Sequence, residues 1–172
     1  MSIAVLLIDL QNDYFPGGKF PLWNTDQTLE SALAAIGKAQ ARGDLIVHIQ
    51  HIANPGMGIA PFFNQDTPGA EIHPDVLAAA PDAPQVVKQF ADSFEQTGLE
   101  TLLASHSINR LLVCGMMTQN CVTHTAISRT AENYDVTILA DACTTIDEMI
   151  HNIALHAVST RVKLSTVDEE YA

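Results

Sequence analysis

Three side chains of complementary reactivity stand out in this chain: Asp9 in LLIDLQNDYF, Lys88 in VVKQF and Cys121 in GMMTQNCVTHTA. A thiolate is a nucleophile, and a helix start favours it because the helix dipole stabilises negative charge there. The spacing predicts a helix beginning at Cys121, shortly after a strand LLVCGM, with Gly115 permitting a tight exit. The unpaired N–H groups of a helix start can also hold a developing oxyanion, as acyl transfer requires. Asp9 ends an apolar run, where a carboxylate is costly unless it is paired or hydrogen-bonded. Such a group can take the thiol proton and return it to a leaving amine. Lys88 is one of four lysines and follows two valines in a predicted strand. A lysine there calls for a carboxylate partner. Its charge would keep Asp9 ionised and favour the Cys121 thiolate.

The other reactive residues read more quietly. Cys114 lies within a predicted strand and Cys143 just after one, the positions of inert core thiols. Three cysteines are not a disulfide framework, and free thiols fit a reducing compartment. A thiol redox or sensor protein using Cys114 and Cys121 is the non-enzyme alternative, but their spacing is not C-x-x-C. Asp13, in DYFPGG, reads as a turn residue. His48 and His51 form H-x-x-H on a strand, so they point to opposite faces. Asp66 and Glu71 follow on a loop without ligand spacing, and no metal site is read from this set.

These residues need elements to position them. Ile3–Leu10 is a continuous apolar run, as expected of a strand buried on both faces. Asp26–Arg42 has helical spacing at Leu29, Leu33 and Ile36 and stops at Gly43. Leu45–His51 is a second strand. Residues 53–84 hold six of the eight prolines and show no period, so they read as a long functional loop region. Gln85–Gln89 is a short strand, Thr97–Ser107 a helix, Leu111–Met116 a strand and Cys121–Asn133 a helix. Val136–Ala140 is a strand, Asp147–Thr160 a helix and Val162–Thr166 a last strand. Strands alternating with helices imply a parallel α/β sheet covered on both faces. Ligands then sit beyond the strand carboxyl ends, where Asp9, Lys88 and Cys121 all fall.

The length of 172 residues reads as one domain, residues 1–172. A formal charge of −12 makes nucleic acid and anionic membrane surfaces unlikely partners, because both need a basic footprint. The run Ile3–Ile8 lacks a basic flank and is cut by Asp9, so no signal peptide or membrane span is read, and a cytoplasmic location is expected.

Four segments resemble the isochorismatase-like cysteine hydrolases: LLIDLQNDYFPGG at 6–18, DTPGAEIHP at 66–74, VVKQFADSF at 86–94 and LLVCGMMTQNCVTHTA at 111–126. That superfamily includes nicotinamidases, N-carbamoylsarcosine amidases and ureidoacrylate-type amidohydrolases. The resemblance implies an Asp9–Lys88–Cys121 triad on a three-layer fold with a six-stranded parallel sheet in the order 3-2-1-4-5-6. It also implies a cis peptide at Met116–Met117 and an oxyanion hole made by the N–H groups of Met117 and Cys121. Tyr14 and Gln119 fall at substrate-contact positions, against the plainer readings of packing and a solvated turn. Phe62, Phe63 and Trp23 would form an apolar wall.

Departures from the pattern are informative as well. Nicotinamidases carry Asp-x-His at the end of the second strand, and those residues bind a metal. Here that segment is Ile49-Gln50-His51, so no metal and no cofactor are expected, and nicotinamide is a poor substrate. Isochorismatases proper lack the cysteine nucleophile. The expected activity is metal-independent cleavage of a C–N bond in a small amide, carbamoyl or ureido substrate through a thioester. Isochorismatase-type or thioester hydrolysis is the alternative. Relatives are commonly oligomers, so a homo-oligomer (dimer or tetramer) is expected.

Overall fold

β1 (Ile3–Ile8) is buried at all six positions. Successive side chains of a strand point to opposite faces, so a wholly buried strand has cover on both. In the computed structural model, which describes residues 2–172, β1 lies inside a six-stranded sheet in the order β3-β2-β1-β4-β5-β6. Every pairing is parallel, as the alternation of strands and helices predicts. The other strands are β2 (Leu45–His51), β3 (Gln85–Lys88), β4 (Arg110–Met116), β5 (Asp135–Thr144) and β6 (Lys163–Ser165).

The helices are α1 (Thr25–Arg42), α2 (Pro74–Ala79), α3 (Leu99–Ser105), α4 (Thr123–Ala126), α5 (Glu148–Val158) and α6 (Val167–Glu170). α1 packs across β1, β2, β4 and β5 and touches α2 and α6, while α4 and α5 pack on each other and on β5. No helix among the described residues is long and apolar enough to cross a membrane.

Three segments depart from the sequence expectation. The helix expected over Cys121–Asn133 is broken into a π-helical turn (Thr118–Val122), the single turn α4 and a 3-10 turn at Ala131–Asn133. Hydroxyl side chains compete with helix bonding here. Ser128 Oγ accepts from the Thr130 N–H at 3.3 Å, while Thr125 Oγ1 ties α4 to Ser93 by accepting its backbone N–H at 3.0 Å. Secondly, β5 runs on to Thr144, past Ala140, where the sequence reading ends it. Between Val113↔Ile138 and Gly115↔Cys143, four β5 residues face the single residue Cys114. This wide bulge takes Asp141 out of the ladder, and its carboxylate accepts from the Val167 N–H at 2.9 Å, at the start of α6. Thirdly, the loop 53–84 contains α2, whose entry is capped by the His73 side chain.

One close approach sets the site's frame. Gly115 has φ +122°, and a Cβ there would run into the Ile8 backbone carbonyl. Only glycine lets β4 pass the end of β1 so closely. The next β1-side residue, Asp9, has φ +52°, a left-handed conformation that Asp tolerates better than most side chains.

Candidate active site

Asp9, Lys88 and Cys121 converge at the carboxyl edge of the sheet, each from a different element. The Asp9 N–H extends the β1–β2 ladder by donating to Ile49 O at 3.0 Å. Lys88 is the last residue of β3, whose alternating burial leaves Gln85 and Val87 outside and turns Val86 and Lys88 inward. Cys121 sits in the π-helical turn after β4, in which Met117 O accepts from the N–H groups of Asn120 and Val122. The Met116–Met117 bond is cis. All three reactive side chains are buried, with Asp9 0%, Lys88 1% and Cys121 3% exposed.

Lys88 Nζ is the hub. It donates to Asp9 Oδ2 at 3.0 Å, to Phe90 O at 3.0 Å and to Cys121 Sγ at 3.3 Å. A fourth neighbour, His51 Nδ1, lies at 3.0 Å. An ammonium has three N–H groups for these four acceptors, and a neutral thiol is the weakest of them. The contact to sulfur therefore strengthens only when the sulfur carries charge. Asp9 Oδ1 is buried and has no hydrogen-bond partner. One carboxylate oxygen is thus committed to Lys88 while the other is free to receive a proton.

Electrostatics corrects the sequence-based account of activation. Burial pushes the Cys121 thiol far above its ordinary range, and Asp9 pushes it further, against the pull of Lys88. The helix following Cys121 is a single turn, too short to favour the thiolate by its dipole. The resting group is a neutral thiol beside an ion pair. Burial also works against the charge on Lys88, but Asp9 and then Cys121 outweigh it and hold Lys88 above the usual lysine value.

The sequence alone assigns His51 no role, yet it belongs to this cluster. Its register partner across β2 and β3 is Lys88, a pairing that the two strand ends hint at but sequence alone does not fix. Burial, then Lys88, lowers the His51 pKa, with Asp9 opposing. His48 points to the opposite face, as the strand period requires, and its Nε2 lies 2.8 Å from Ala80 O. Asp9, His51 and Cys121 each place one ligand-type atom within 4.8 Å of the others. The Lys88 ammonium contacts all three.

The other predicted positions are distributed as follows. Tyr14 is buried among Phe63 at 4.5 Å, Phe62 at 5.3 Å and Phe20 at 6.4 Å between ring centroids. Burial raises its phenol pKa, and Asp9 and Cys121 raise it further, which marks its nearness to both. Gln119 is not a solvated turn residue. Its Oε1 accepts from the Thr145 hydroxyl and its Nε2 lies 3.9 Å from Met117 Sδ. Trp23 does not join Phe62 and Phe63 in one wall, and its ring pairs with His151 of α5 at 6.0 Å. Asp13 clamps loops, accepting from the N–H groups of Phe63 at 2.8 Å and Lys19 at 3.1 Å. Cys114, Cys121 and Cys143 are all free thiols.

The model of the isochorismatase domain matches residues 3–169. The chain is 36% identical over 145 residues to the isochorismatase family protein YddQ of Bacillus subtilis, covering 84% of this chain and 79% of that one. It is 28% identical to the nicotinamidase of Escherichia coli, covering 81% and 82%. A crystal structure from Oleispira antarctica, assigned to the isochorismatase hydrolases, superposes with a TM-score of 0.88 at 33% identity, covering 99% and 96%. On fold, site and sequence together, the chain belongs to the isochorismatase family of hydrolases.

Proposed function

We propose that this hydrolase cleaves a C–N bond of a small amide, carbamoyl or ureido compound through a Cys121 thioester, without a metal. The observation that carries the reading is the buried Lys88 ammonium, which touches both Asp9 and Cys121 while leaving Asp9 Oδ1 unpartnered. The nicotinamidase relative supports an amide-like substrate.

In the proposed reaction, Cys121 Sγ attacks the substrate carbonyl carbon as its proton passes to Asp9 Oδ1. Because the resting thiol is neutral, attack and deprotonation are coupled, and Lys88 stabilises the sulfur as it becomes negative. The oxyanion is held by the N–H groups of Met117 and Cys121. Asp9 then gives its proton to the nitrogen as the C–N bond breaks, releasing ammonia or an amine. A water, deprotonated by Asp9, attacks the thioester carbon. The C–S bond breaks, the sulfur regains a proton from Asp9, and the acid leaves. Tyr14 and Gln119 serve as substrate contacts, Tyr14 beside the nucleophile and Gln119 fixed by Thr145.

The test is a panel of small amides and ureides, with ammonia release as readout and a search for an acyl adduct on Cys121 by mass spectrometry. Cys121→Ala is expected to abolish turnover, and undiminished hydrolysis by that variant would overturn the mechanism. Turnover is expected to survive exhaustive chelation; its loss would refute the metal-free reading.

A further inference from the structure

The Lys88 ammonium poses a problem of distribution. It lies beside a carboxylate with one bonded and one free oxygen, and nothing in the Asp9–Lys88 pair alone prevents the ammonium from binding both. Ammonium groups rotate freely, and a charged acceptor is preferred over a neutral one. Were a second N–H to reach Asp9 Oδ1, the base would be occupied and the sulfur would lose its donor. Two neutral acceptors stand against this, Phe90 O and His51 Nδ1, each 3.0 Å from Nζ.

His51 is unusually well fixed for the task. Its backbone N–H donates to Gln11 Oε1 at 2.8 Å, and its carbonyl accepts from Gln11 Nε2 at 2.8 Å. The same Gln11 side chain donates to Ala70 O at 2.7 Å, and the Gln11 N–H donates to Asp9 O at 2.9 Å. One glutamine thus ties the strand end that carries the base to the one that carries the histidine. Register then places His51 opposite Lys88.

We propose that His51 is a positioning residue for this reaction: its Nδ1 holds one Lys88 N–H while the sulfur is a neutral thiol, keeps that N–H from Asp9 Oδ1 so that this oxygen stays free as the base, and yields it to Cys121 as the sulfur gains charge. The inference rests on the hydrolase reading above. Accepting from an ammonium requires an unprotonated Nδ1, so the ring carries its proton on Nε2. The charged or titratable groups facing the ring are Lys88 from β3, Asp9 just after β1 and Cys121 from the π-helical turn. The loop side presents the uncharged Phe63 ring, at 5.9 Å. Burial and Lys88 both favour the neutral imidazole.

The experiment compares His51→Asn, His51→Gln and His51→Leu in the full chain. Asn carries its side-chain oxygen two bonds from Cβ, as Nδ1 is, whereas Gln carries it one carbon farther and Leu has no acceptor. Two readouts are taken: kcat and KM on an amide that the wild type turns over, and the rate of Cys121 alkylation by iodoacetamide, followed by mass spectrometry. His51→Leu and His51→Gln are expected to lower kcat by roughly 10- to 100-fold, the scale on which orienting partners of a reactive group act, with KM changed far less. Both should also slow alkylation, because Lys88 is the group that favours the thiolate. His51→Asn should recover most of the loss in each readout. Alkylation needs no substrate, so it decides the role of His51 even if no amide is turned over, an outcome that would count against the hydrolase reading alone. Wild-type alkylation and turnover in His51→Leu would overturn the proposal. So would a His51→Asn variant as impaired as His51→Leu, since that pattern marks a requirement for shape alone. His51→Gln, polar and of similar bulk, decides the matter if His51→Leu fails to fold.

Discussion

Asp9→Asn separates two effects of one carboxylate. As a base, Asp9 helps the reaction; as a neighbouring negative charge, it hinders ionisation of Cys121. A carboxylate oxygen and the sulfur lie within 4.8 Å of each other. At that distance two unit charges repel by about 3.5 kcal/mol with an effective dielectric near 20. That energy corresponds to between two and three decades of thiolate population. The sign follows directly: Asp9 raises the thiol pKa, so its neutral replacement lowers it and increases the thiolate fraction at fixed pH. A less basic thiolate is intrinsically less nucleophilic, which cancels about half of the gain on a logarithmic scale. Alkylation of Cys121 by iodoacetamide near neutral pH should therefore be about 10- to 20-fold faster. Hydrolysis should fall by about 10²- to 10⁴-fold, because asparagine cannot carry the proton. Both rates are read on protein verified as folded, the first by mass spectrometry and the second by ammonia release. Unchanged or slower alkylation would show that Asp9 does not set the ionisation of Cys121, and unchanged hydrolysis would show that it is not the base.

Three further outcomes are expected. Lys88→Met strands a buried carboxylate and should cost about 3–5 kcal/mol, seen as a melting midpoint lowered by roughly 6–20 °C. The double variant Asp9→Asn/Lys88→Met should regain most of that stability and none of the activity; a double variant as unstable as the single one would contradict the buried pair. Gly115→Ala should abolish soluble folded protein, because its Cβ would meet the Ile8 carbonyl at an unfavourable φ, and a well-folded variant would refute the required close approach. Burial pushes Cys143 up to about 12, though the Gly115 backbone opposes it, and burial holds Cys114 well above its ordinary value. Iodoacetamide should therefore leave Cys114, which is 0% exposed, unmodified in the native protein and reach it only after unfolding; native labelling of Cys114 would count against its place in β4.

Much of the fold was legible because its signals are local. The unbroken apolar run at Ile3–Ile8, the Gly43 stop and the alternation of strands with helices each depend on neighbouring residues, and together they specify a parallel sheet. Other features were not local. The helical turn after Cys121 is tied to a distant part of the chain, because Thr125 bonds to Ser93, more than thirty positions earlier. β5 passes Asp141 because a bulge turns that carboxylate toward α6.

The site divides along the same line. Sequence determined which chemistry was available: a thiol, a carboxylate and a lysine at the ends of three strands. Tertiary structure alone decided how they interact. Only the parallel register of β2 and β3 sets His51 opposite Lys88, and only burial beside Asp9, absent from any local motif, raises the Cys121 thiol against the pull of Lys88. The division has one physical reason: reactivity belongs to residue type, whereas ionisation state and hydrogen-bond partners belong to the surroundings that folding creates.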